Sequence, residues 1–89
     1  MKKEHSLTLI DGIFDNADTI EIILSLIDKK IKFNEINSFR NLIKSKEQDK
    51  NLEKRIEELK KARVSFLEYM HYHKKDSFKI DSIINIKSL

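Results

Sequence analysis

Apolar side chains along this chain recur with two different periods, and each period selects one kind of element. Between Asn51 and Lys75 the positions Leu52, Ile56, Leu59, Arg63, Phe66, Met70 and His73 follow one another at steps of four and three. That spacing is a heptad seam on one face of a helix, interrupted by a guanidinium and an imidazole. Upstream, Ile20, Leu24, Ile27 and Ile31 repeat it within a helix predicted over about 16–43. Ile22 and Leu26 add a second apolar flank. A helix wet on its far side would not carry so wide a face, so this one is expected to touch two neighbours, the later helix and a sheet. Beyond Ile31 the register slips. The first stripe runs onto Asn34 or Glu35 and then Ser38, while the apolar residues become Phe33, Ile36, Phe39 and Ile43, nearly opposite. Either the helix bends near 32–34, or its second half packs against something different, such as another subunit.

The two end segments read as strands. Residues 6–14, SLTLIDGIF, are short and rich in branched side chains, with Leu7 and Leu9 on one side and Ile10 on the other. Asp11-Gly12 is a hairpin dipeptide, but too few apolar residues follow it for a returning strand. A bulge or bend at Gly12 within one strand is expected instead. Asp15-Asn16-Ala17-Asp18 then looks like a helix entrance, with Asp15 capping free amides and Asp18 facing the positive end of the dipole. Polar residues 45–50 suit a turn between helices, and the long helix is predicted over about 51–75. Over 78–87 the chain alternates, placing Phe78, Ile80, Ile84 and Ile86 on one face with Ser82, and the lysines, Asp81 and Ile83 on the other. The predicted fold is α+β and mostly helical: a single domain over 1–89 in β-α-α-β order, with an antiparallel helix hairpin packed on a small antiparallel sheet.

Size makes that fold marginal. A chain of 89 residues buries only about two-thirds of its unfolded surface. There is no cysteine to staple it, which fits a reducing compartment, and a cytoplasmic location is expected. Two strands alone are weak and both are edges. The economical remedy is a homodimer joining two strand pairs into a four-stranded sheet, with or without contact along the helical seam. The longest strictly apolar run is Ile22-Ile23-Leu24, far short of the roughly 20 residues of a membrane span. Met1-Lys2-Lys3 opens like a signal peptide, but Glu4, His5 and Asp11 interrupt the apolar segment such a peptide needs.

Candidate chemistry is sparse. His71 and His73 stand two apart, which points them to separate sides of a helix, whereas a helical metal pair wants three or four. Neutralising the helix dipole accounts for them better, and no metal or cofactor is expected. Arg63 either reaches past its methylenes to water or pairs across the seam with a carboxylate, Glu68 or a glutamate of the first helix being options. Residues 44–63 carry eight basic and five acidic side chains, interleaved as on a solvated face rather than sorted into a basic stripe. Phe66 and Tyr69 fall on or beside the seam, so packing explains them better than base stacking. No cysteine nucleophile, glycine-rich phosphate loop or serine elbow is present, and Glu57-Glu58 sit on a charged helix, so an enzyme is not expected.

The segments Leu9-Ile10-Asp11-Gly12-Ile13-Phe14, Lys30-Ile31-Lys32-Phe33-Asn34 and Lys54-Arg55-Ile56-Glu57-Glu58-Leu59, with the capped helix between the first two, together resemble a group of small uncharacterised bacterial proteins whose first strand ends in Asp-Gly-x-Phe. The resemblance covers roughly the first two-thirds of the chain. It implies a complete small protein and carries over no functional residue. Two functions follow from the residues themselves. One is a non-enzymatic interaction or scaffold protein that self-associates through its helical seam and sheet edges and binds a larger partner. Its seam residues are Leu52, Ile56, Leu59, Arg63, Phe66 and Met70 with Ile20, Leu24, Ile27 and Ile31. The other is a nucleic-acid-binding accessory protein using Lys54, Arg55, Lys60 and Lys61, whose binding would weaken steeply with salt.

Overall fold

The computed structural model describes residues 3–45 and 49–89. Strand β1 covers Glu4–Asp15, helix α1 Asn16–Ser45, helix α2 Lys50–Tyr72 and strand β2 Ser77–Lys87. The strands form a two-stranded antiparallel sheet, and the helices form a hairpin, so the β-α-α-β order and the α+β class are as the periodicity implies. Residues 46–48 of the expected turn lie outside the described residues, as do Met1 and Lys2 of the signal-like opening.

Each helix starts at an aspartate. The Asp18 amide donates to Asp15 Oδ1 at 2.7 Å, and the amides of Asn51 and Leu52 donate to Asp49 Oδ1 at 3.1 Å each. These bonds satisfy amides that have no partner inside the helix. Helix α1 is continuous through 32–34. Helix α2 stops at Tyr72, three residues short of the predicted end, where the His73 amide donates to the Tyr69 carbonyl at 2.9 Å. His73 is exposed and does not belong to the seam.

The sheet corrects the reading of the first strand. The ladder runs unbroken through Gly12, which pairs with Ile80, and the bulge falls at Leu9. Between Leu7↔Ile84 and Ile10↔Ser82 the first strand advances three residues and the second only two. The extra residue changes the alternation, so Leu7 and Ile10 share a face instead of opposing one another. That face also holds Phe14, Phe78 and Ile80, and Gly12 lies among them. A Cβ on Gly12 would come within 3.2 Å of Phe14 Cζ, so its hydrogen leaves room for that ring to lie back along the strand.

The inner face is covered only in part. Ile10, Gly12, Phe14, Phe78, Ile80 and Ser82 are buried or half-buried, whereas Leu7, Ile84 and Ile86, further from the helices, are exposed. Helix α1 touches both strands and α2, while α2 comes close to α1 alone. The sheet and α1 therefore diverge from their junction at Asp15–Asn16, giving a flat body of 49 × 38 × 14 Å. Its core is small: Ile31, Ile56 and Leu59 form one cluster with Ile27 packed on it, and no side chain among the described residues is fully buried.

Two quantities measure how open this is. The accessible surface is 7614 Å², against about 5,500 Å² for a compact monomer of this mass. The radius of gyration is 16.4 Å, against about 12 Å for a compact chain of this length and about 16 Å for one twice as long.

Two substitutions test the packing. Leu59→Ala should lower unfolding free energy by about 2 to 4 kcal/mol through loss of packing in the buried Ile31–Ile56–Leu59 cluster, read from urea denaturation. Thr19 is buried, and its hydroxyl has no hydrogen-bond partner among the described residues. Thr19→Val keeps the shape and removes that unmet group, so the melting temperature should rise, by an amount equivalent to about 1 kcal/mol.

Candidate interaction surfaces

The seam named from the sequence is occupied from within the chain. Ile31, Ile56, Leu59 and Met70 are buried, and Ile20, Leu24, Ile27, Leu52, Arg63 and Phe66 are half-buried. Arg63 is held by α1 but by an aspartate, not a glutamate: its Nε donates to Asp28 Oδ1 at 2.8 Å and its Nη2 to Asp28 Oδ2 at 3.4 Å. The bidentate hydrogen bonds and the carboxylate charge raise the already high pKa of the guanidinium. This clamp ties α2 to α1 across the seam, near the surface, where solvent screening leaves its geometry more important than its strength. Sequence reasoning missed Asp28 because an aspartate one residue past Ile27 looks like an ordinary solvated position.

The other candidates stay separate. Lys54, Arg55, Lys60 and Lys61 are exposed on α2, with Arg55 donating to Glu58 at 3.0 Å. The His73 ring lies against Tyr69 with centroids 4.4 Å apart, and His71 meets Tyr72 edge-on at 5.5 Å. Tyr69 is exposed, so it belongs with the helix end and not with the core. Among the described residues no three histidine, aspartate or glutamate side chains gather as a metal group, and no helix is long and apolar enough to cross a membrane.

The sheet's outer face carries paired polar groups around two exposed isoleucines, Ile13 and Ile83. Ser6 Oγ donates to Asn85 Oδ1 at 2.6 Å, and Lys87 stands 3.8 Å from Glu4. Asp11 and Asp81 oppose each other in the ladder, a like-charge arrangement that would be unfavourable by itself. Lys79 resolves it, bonding Asp11 and lying 3.3 Å from Asp81. The hydrogen bond from Lys79, followed by its charge, holds the Asp11 carboxyl below the usual carboxylate range, and the Asp11 bond raises Lys79 in turn.

The exposed surface also includes a long apolar stripe. Helix α1 carries a second heptad stripe of Ile22, Leu26, Lys29, Phe33, Ile36, Arg40 and Ile43, running on the side away from α2. Near the junction its first members face the sheet: Ile22 and Leu26 line a shallow groove with Leu9 and Ile10 of β1. Further along it is exposed among the described residues. Phe33 is 57% exposed, Ile43 61%, and neighbouring Phe39 63%. The Lys30 ammonium, 5.0 Å from the ring centroid, is a contact to Phe33 from its own helix. Toward α2 the same half of α1 presents Asn34, Ser38 and Asn41, with Asn34 buried and Asn41 Nδ2 donating to Asp49 at 3.4 Å. The slip in register is therefore a change in which side of a continuous helix is apolar. Compared with protein-family models, with curated proteins and with solved structures, the chain matches none.

Lys79 gives a pH test. Lys79→Gln leaves Asp11 and Asp81 opposed, so the melting temperature should fall at neutral pH. Because the folded pKa of Asp11 is depressed, its contribution is complete above the ordinary carboxylate pKa and is lost as pH falls through the lower folded value. The gap between variant and parent should close in acid; a gap unchanged down to about pH 2 would mean that carboxylate ionisation is not its source.

Proposed function

We propose that this chain is a non-enzymatic interaction or scaffold module that works by self-association in the cytoplasm, able to hold a larger partner on the assembled surface. One observation carries the reading: the chain has roughly 2,000 Å² more surface than a compact monomer of its mass, and much of what is exposed is large and apolar. An obligate dimer buries about 2,000–5,000 Å² in total, so an excess of that size on each of two copies falls within the range. The seam is filled by the chain's own helices, which leaves the second stripe of α1 and the sheet as the associating surfaces. A non-enzymatic role is favoured because the groups with shifted pKa, Asp11, Arg63 and Lys79, are all engaged in surface ion pairs rather than poised in a cleft.

Sedimentation equilibrium at micromolar concentration tests the reading directly. The expected mass is twice the 10.6 kDa of one chain. Phe33→Glu should weaken the association at least tenfold, about 1.4 kcal/mol, with helix content unchanged. A parent chain that stays a folded 10.6 kDa monomer would overturn self-association.

A further inference from the structure

The bare half of α1 and the bare half of the sheet are two sides of one open wedge. We propose that a second copy of this chain closes it by a reciprocal exchange: the Phe33–Ile36–Ile43 stripe of each protomer lies on the inner sheet face, around Leu7, Ile84 and Ile86, of the other. This rests on the self-association reading and specifies its contact.

Continuity of the stripe supports it. Ile22 and Leu26 already face Leu9 and Ile10 of the chain's own β1, so the flank that continues as Phe33, Ile36 and Ile43 is the sheet-facing side of the helix, extended past the reach of its own sheet. The inner face is the better match. The outer side has two exposed isoleucines, Ile13 and Ile83, but the Asp11–Asp81 step of the ladder with its Lys79 pair separates them. On the inner side beyond Ile10, by contrast, Leu7 lies directly opposite Ile84, with Ile86 next along the strand.

Size favours a second copy as the occupant. A single copy has the radius of gyration of a compact body of about twice its length, as expected for half of an interlocked pair. A two-fold axis makes the contact twice from one pair of surfaces, covering both bare regions of both chains without a new partner. Helix-to-helix packing of the stripes would leave Leu7, Ile84 and Ile86 exposed. Edge-to-edge pairing of strands alone would leave Phe33 and Ile43 exposed.

The chain has no cysteine, so placed thiols report cleanly. Ile36→Cys and Ile84→Cys copies, each verified as folded by circular dichroism, are mixed, allowed to exchange, and treated with a short thiol-to-thiol cross-linker. The expected product is a linked dimer containing one of each variant, formed several-fold more efficiently than from either variant alone. Efficient linkage of Ile36→Cys with itself, or of Ile84→Cys with itself, with no gain on mixing, would overturn the exchange in favour of helix-to-helix or sheet-to-sheet contact. A dimer by sedimentation that links in no combination would also overturn this contact while leaving self-association in place. A monomer in sedimentation would overturn both, and would leave the wedge to a different protein.

Discussion

The structure depends on a single contact made at mid-length, where Ile27 and Ile31 of α1 meet Ile56 and Leu59 of α2. Everything else is joined to that contact through α1. The sheet touches α1 near its first turns and does not approach α2 closely, so α1 is the shared wall between a helical layer and a strand layer. A shared wall must be apolar on two opposite sides, and α1 carries two heptad stripes for this purpose. Because the stripes are offset along the chain, the wall is well supported on both sides only near its beginning. Its end has a polar side toward α2 and an apolar side left exposed among the described residues.

That offset accounts for the shape. Where both stripes are engaged the body is closed; where only one is, the layers separate. The Arg63–Asp28 clamp lies in the closed region, one turn from Ile31, and gives the seam a directional bond that pure packing lacks. At the far end Asn41 reaches Asp49, the residue that caps α2, so the helical layer is fastened at its tip by polar groups. Among the described residues the strand layer has no comparable side-chain fastening to α1 beyond the Asp15 cap.

Most of the element order was legible because two periods, near 3.5 and 2, separate cleanly in a chain with one glycine and no proline. The two-neighbour role of α1 was legible from Ile22 and Leu26. The position of the bulge was not. Asp11-Gly12 is the strongest local signal in β1, yet glycine there serves the ring of Phe14, and the register shift at Leu9 is fixed by the partner strand, which a local reading does not contain. The end of α2 was overestimated because His73 continues the heptad count, although the chain has already left the helix at Tyr72. The partner of Arg63 was invisible for a similar reason, since only the relative rotation of two helices selects Asp28 over the nearby glutamates.

The extra residue at Leu9 also affects how this chain can vary. Side chains before and after it are out of step by one, so β1 behaves as two short strands phased separately against one continuous partner. Replacing a side chain in either half alters one position. Removing one residue would rotate every side chain on one side of the cut by half a turn, exchanging Leu7 with the polar neighbours that now face water. Sequences that keep this architecture can therefore drift in residue identity along β1 while its length stays fixed.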